Sequence, residues 1–86
     1  MGNTSNDNRL AVLAVIIEDA EAAGAINALL HEHESMVMGR MGLPFRNRGV
    51  NIISLVLDAP QDRINTLAGA LGRIPGVTAK AVYGRK

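Results

Sequence analysis

The sequence predicts an α+β fold, a four-stranded antiparallel sheet with two helices on one face, in the order β-α-β-β-α-β. Three observations predict it. Gly49 to Tyr83 reads as a strand, a helix and a strand, with Pro60 and Pro75-Gly76 as punctuation. Arg9 to Phe45 carries the same strand–helix–strand pattern, so the chain is two β-α-β halves of similar length. Arg46-Asn47-Arg48-Gly49 between them is a turn, which joins the halves as a hairpin.

Each element has its own justification. Met1 to Asn8 is polar, rich in Asn and Ser, and is expected to be a frayed tail ahead of a single domain at 9–86. Arg9 to Glu18 is the first strand. Leu10, Val12, Ala14 and Ile16 form one alternating set and Ala11, Leu13, Val15 and Ile17 the other, so both faces are apolar and the strand belongs in the middle of its sheet. Asp19 is a good N-cap and Glu21 suits the first turn of a helix. Ala22, Ala23, Ile26, Leu29, Leu30 and His33 continue that helix as one stripe to about Glu34. Gly24 interrupts it at a cost of about 1 kcal/mol relative to Ala, which points to close packing or to the approach of a ligand.

Met36 to Phe45 is a weaker strand, because Gly39, Gly42 and Pro44 suit an edge or a bulge. Val50 to Leu57 is a short, β-branched-rich run of strand length. Asp58 or Ala59 then caps a helix over about 60–73, with Pro60 just inside it. Ile64, Leu67, Ala68 and Leu71 supply its stripe, and Val77 to Tyr83 alternates as the last strand. This is the ferredoxin-like arrangement, with strands one and three central and strands two and four at the edges.

Composition sets the bounds. Eighty-six residues make one domain, and 48% of them are apolar with one Phe, one Tyr and no Trp, so the core must be aliphatic and thin. The absence of cysteine excludes disulfides, Cys-ligated zinc, protein-ligated iron–sulfur clusters and thiol catalysis. No basic segment leads into an apolar one near the start, and the longest apolar run, Leu10 to Ile17, cannot span a bilayer. A cytoplasmic protein without a membrane partner is expected. Two helices on one face leave the other face of an apolar sheet uncovered, so a homodimer or tetramer is expected. Either set of strand one could face outward. The Leu13–Val15 set gives an interface of Leu13, Val15, Met38, Met41, Ile53 and Leu55.

The net charge of +1 conceals an asymmetry. Residues 1–34 carry six acids against Arg9, a net of −5, whereas residues 35–86 carry eight bases against Asp58 and Asp62, a net of +6. One reading is a bipolar surface that sets subunit register. The other is an anion or nucleic-acid face built from Arg40, Arg46, Arg48 and Arg85-Lys86.

Few residues carry chemistry. His31 and His33 point about 200° apart on a helix. They suit a helix C-terminus, the alternative being a metal shared between subunits. Met36, Met38 and Met41 suit irregular packing on an edge strand. Gly39 to Gly42 has the GxxG spacing without the helix that a phosphate loop requires. Arg40 is a lone base in an otherwise apolar strand, which either reaches solvent or pairs with an acid of a ligand or of a neighbouring subunit. Ser54 has no His or Lys nearby in sequence, and no carboxylate pair stands out, so no enzyme is expected and no cofactor is required.

The segments LAVLAVIIED, INALLHEHES, GRMGLPFR and NIISLVLDAPQDRINTLAGALGRIPGV together resemble the iron-only hydrogenase system regulators, over nearly the whole chain after Asn8. The resemblance implies a small ferredoxin-like regulator acting on a partner protein or DNA. More distantly, the chain is similar to amino-acid-sensing ACT domains and to the C-terminal domain of nickel-responsive repressors. Asp19 to Leu30 resembles the ACT loop and first helix, without its Pro-Gly pair. Against the nickel repressors only the histidines compare. The ligand Cys and the ribbon-helix-helix segment have no counterpart. The ACT resemblance, the glycine interruptions and the lone Arg40 together place any small-molecule effector at Asp19, Gly24, Arg40, Gly42, Pro44, Arg46 and Asn47, on a subunit boundary. A purely structural assembly domain is the alternative.

Overall fold

The two most apolar strands lie side by side at the centre of the sheet. The computed structural model describes residues 7–85, so the expected fraying of Met1 to Asn6 lies outside the described residues. β1 (Asn8–Ile17), α1 (Ala23–Glu32), β2 (Val37–Phe45), β3 (Val50–Pro60), α2 (Gln61–Gly72) and β4 (Val77–Tyr83) follow in that order. The sheet order is β2-β3-β1-β4 and every pairing is antiparallel. This is the predicted ferredoxin-like arrangement.

Boundaries differ from the sequence reading at three places. β1 begins at Asn8, which pairs with Pro60, so Asn8 belongs to the domain and not to the tail. β3 runs to Pro60, which takes the N-cap position of α2 without a side-chain hydrogen bond, so neither Asp58 nor Ala59 is the cap. A strand can end on proline because no ladder donor is needed there. Asp19 caps a short 3-10 turn, Ala20–Ala22, through its Oδ1 and the Glu21 N–H at 3.0 Å, and α1 proper starts at Ala23.

The burial pattern settles which way β1 faces. Ala11, Leu13, Val15 and Ile17 are buried, while Leu10, Val12, Ala14 and Ile16 are exposed. The buried set meets Leu55, Leu57 and Ala59 of β3, Ile26 and Leu30 of α1, and Ile64, Leu67 and Leu71 of α2 in one aliphatic core. Met36 is buried in a 3-10 turn that leads into β2 and is not part of the strand. Leu13, Val15 and Leu55 are therefore core residues, and Ile53 packs against them on the same face. The interface expected for Leu13, Val15 and Leu55 is corrected, since they are buried in the core under the helices, and Ile53 is half-buried on that same inward face and not on the outward one.

The open ends of the sheet are tied down by polar contacts. Arg9 donates to Gln61 Oε1 and to the Gly84 carbonyl, both at 3.0 Å, and its guanidinium lies 5.2 Å from the centroid of the Tyr83 ring. The Tyr83 hydroxyl donates to Asn65 Oδ1. These contacts lock β1, β4 and the start of α2 together at one end. Among the described residues no helix is long and apolar enough to cross a membrane.

Candidate functional site

Two surfaces stand out, one on each face of the sheet. Cross-strand partners share a face, so the register lays out the outward one row by row. Val56, Val12 and Val82 form one row across β3, β1 and β4. Met41, Ser54, Ala14 and Lys80 form the next across all four strands, followed by Leu43, Ile52, Ile16 and Thr78. Leu10, Val12, Ile16, Met41, Leu43, Val56 and Val82 are all exposed, Met41 and Val82 at 71% and 70%. Scattered exposed apolar residues are ordinary, but a contiguous sheet face of them is not.

The second surface is a groove on the helix side, between α1 and β2. Arg40, Gly42 and Pro44 stand opposite Leu55, Ile53 and Asn51, and so face the helices. Gly42 supplies no side chain there, and a Cβ built on it meets nothing within 4 Å. The space left open forms two adjoining hollows. The inner one, about 320 Å³, has a floor of Ile17, Ile26 and Ile53, with Asn27, Arg40 and Asn51 as its polar groups. The outer one, about 500 Å³, is lined by Leu30, His31, Glu34, Val37 and Leu55 together with the same Asn27 and Arg40. Arg40 thus borders both hollows. Among the described residues no carboxylate pairs with it, the one His/Lys/Arg–carboxylate contact being His31 Nδ1 to Glu34 Oε2 at 3.4 Å.

Of the residues expected around an effector, the structure brings three together in this groove: Arg40, Gly42 and Pro44. Arg46 lines a neighbouring hollow with Ala20, Gly49, Val50 and Asn51, the last of which it shares with the inner one, and Asn47 is exposed in the 3-10 turn Arg46–Arg48. Asp19 is engaged in capping, with its Cβ against Gly76. Gly24 is exposed, and a Cβ built on it meets nothing within 4 Å, so close packing does not explain it. Gly24→Ala is expected to stabilise the protein by about 0.5–1 kcal/mol in a denaturant titration, through helix propensity alone. Unchanged stability would show that helix propensity carries no weight at this position in the first turn of α1.

Sequence reasoning missed Asn27 and Asn51, because neither is unusual until α1 and β3 are placed beside Arg40. His31 and His33 are not brought to one point. His31 faces Glu34, while His33 caps α1 with its Nδ1 2.9 Å from the Leu29 carbonyl. Among the described residues no three His, Asp or Glu side chains gather into a metal-holding group. Met38 and Met41 are exposed, with Met41 in the outward rows and Met38 at the β2 bulge between Val37 and Gly39.

The basic residues do not form one face. Arg46 and Arg48 lie beyond the Ile17 end of β1, and Arg85 lies near its Asn8 end. Ten strand residues separate these ends, about 30 Å. The continuous anion face expected from Arg40, Arg46, Arg48 and Arg85 is corrected accordingly. Lys86 lies outside the described residues.

The model of the TM1266-like family, described as proposed iron-only hydrogenase system regulators, matches residues 9–81. The solved structure of protein TM1266 from Thermotoga maritima is 35% identical, covers 88% of this chain and 96% of that one, and superposes with a TM-score of 0.85. The ACT domain of a GTP pyrophosphokinase from Chlorobium tepidum is 18% identical, covers 88% of each chain and has a TM-score of 0.70. The C-terminal domain of the MgtC protein from Mycobacterium tuberculosis is 16% identical, covers 95% of this chain and 94% of that one, and has a TM-score of 0.71. The last two likenesses concern the fold alone. No curated protein matches the chain.

Proposed function

The chain belongs to the TM1266-like family of proposed iron-only hydrogenase system regulators, and from that premise we propose that it is a non-catalytic regulatory homodimer, joined through the outward face of its sheet. The observation that carries the reading is the row Val56, Val12 and Val82 with the exposed Leu10, Ile16, Met41 and Leu43 around it. At about 25 cal/mol per Å², covering a few hundred Å² of such surface stabilises the pair by several kcal/mol. For a domain of this size that is comparable with its whole stability.

Charge on the same face favours a second copy as the partner. Asp58 stands one strand to one side of Val12 and two residues towards one end. Lys80 stands one strand to the other side and two residues towards the opposite end. The two charges are thus placed symmetrically about Val12. A two-fold axis lying parallel to the sheet over Val12, perpendicular to the line joining them, sets each Asp58 against Lys80 of the partner subunit. Such a dimer has two equivalent ion pairs flanking a valine centre, and its strands cross at a steep angle, as in orthogonally packed sheets. Pairs of this kind chiefly fix register and partner choice. Contact with DNA has less support, since Arg85 and the hairpin arginines sit at opposite ends of the sheet.

Light scattering at low micromolar concentration is expected to give twice the mass of the chain. Asp58→Lys places four positive charges where two pairs stood and should weaken the dimer about tenfold or more. Adding Lys80→Asp to it should restore the dimer. A monomeric parent protein sinks the reading. A single charge reversal without effect removes this two-fold arrangement.

A further inference from the structure

We infer that the inner hollow between α1 and β2 is a binding site for a small monocarboxylate with an apolar body, recognised through Arg40. This deepens the regulatory reading by naming a class of effector, and it rests on that reading only for its purpose, not for the binding itself.

The chemistry of the hollow is lopsided. Its floor is Ile17, Ile26 and Ile53, and Arg40 is the single charged residue that lines it. Arg40 stands opposite Leu55 on the helix side of the sheet and is exposed there, so its guanidinium is open to an incoming anion at the hollow it lines. Arg40 has no carboxylate partner among the described residues. Glu34, the acid lining the adjoining outer hollow, stands 3.4 Å from His31 and does not line the inner one.

A guanidinium presents two parallel N–H donors at the spacing of the two carboxylate oxygens. The amide side chains of Asn27 and Asn51 add neutral donors on either side of the apolar floor. One positive charge against isoleucine walls suits one negative charge on an apolar ligand. A phosphate dianion would call for more cations or a run of backbone N–H groups. The volume, about 320 Å³, lies at the lower end of small-molecule sites. The missing side chain at Gly42 keeps the hollow open, and β2 tolerates it because nothing packs there.

The test is a titration of the full chain with hexanoate, followed by backbone and side-chain amide NMR shifts. Hexanol, hexylamine and inorganic phosphate serve as comparison probes. Hexanoate is expected to move the Gly42 amide and the Asn27 and Asn51 side-chain amides, with millimolar affinity as befits so few atoms. Hexanol should bind about tenfold more weakly, while hexylamine and phosphate should leave these signals in place. Arg40→Gln should cost about tenfold in hexanoate affinity. Gly42→Val, whose side chain enters open space on an edge strand that favours β-branched residues, should abolish binding without unfolding the protein. Arg40 is exposed, so Arg40→Gln remains interpretable even if Gly42→Val proves unstable. Absence of localised shifts with hexanoate, equal binding of hexanol, or unchanged affinity in Arg40→Gln overturns the proposal. A dimer that passes the mass test yet fails this one loses the effector class and keeps its assembly.

Discussion

Replacing Gly76 by alanine is expected to lower the melting temperature by about 10–25 °C. Gly76 follows Pro75 in the connection from α2 to β4 and adopts φ +81°, a region that costs residues with a Cβ about 1–2 kcal/mol. A Cβ there would also stand 2.6 Å from Asp19 Cβ and 3.3 Å from the Asp19 backbone nitrogen. The obstacle is short, rigid and partly backbone, so the clash adds about 1–3 kcal/mol. Retreat is blocked on both sides. Glu18 N–H donates to the Gly76 carbonyl at 2.7 Å, tying the end of β1 to the start of β4, and Asp19 is held by its own cap. Gly49 separates the two contributions. It also has positive φ, at 65°, but a Cβ built on it meets nothing within 4 Å. Gly49→Ala should therefore cost only the conformational part, about 1–2 kcal/mol. Equal losses at Gly76 and Gly49 in differential scanning calorimetry would show that the Asp19 contact yields freely.

How much of this molecule the sequence discloses depends on whether a feature is made by residues present or by residues absent. The sheet order and both helices are legible because alternation, the i, i+3, i+4 stripes and Pro75-Gly76 each act locally. The facing of β1 is not legible from β1 itself, since both alternating sets are apolar and the period carries no sign. The deciding signal lies on its neighbours. Ser54 and Lys80 pair with Ala14, so the polar residues of β3 and β4 mark the even-numbered set of β1 as outward. These neighbours favour Val12 and Ile16 over Leu13 and Val15 as the outward residues of β1. The groove is half legible. Arg40 stands out as a base in an apolar strand, but Asn27, Asn51 and Ile53 become its neighbours only when α1 is laid across β3 and Gly42 leaves its place empty. A space of that kind has no local sequence pattern.

Adjacent positions of β1 should respond to the same substitution in opposite ways. Leu13→Asp is expected to abolish folding. Leu13 is fully buried, at 0% exposure, with Leu55 directly across the sheet, itself at 0%. No described basic residue belongs to the cluster around it, so a carboxylate there is neither paired nor hydrated. The lost leucine adds about 2–5 kcal/mol of transfer and cavity cost. Together these exceed what a domain of this size has to lose. Val12→Asp carries the same charge one residue along, but Val12 is 44% exposed and its side chain points away from the core. In a single chain the new carboxylate is hydrated, and the cost is confined to strand propensity, within about 1 kcal/mol. In the dimer it would sit at the centre of the valine row and meet its own copy across the axis, where two like charges repel in a surface stripped of water. Val12→Asp should thus give a folded monomer, with native far-ultraviolet circular dichroism and half the mass by light scattering. Leu13→Asp should lose the circular dichroism signal itself. A folded Leu13→Asp protein would reverse the assignment of the two faces, and a Val12→Asp protein that keeps its full dimeric mass would place the interface elsewhere.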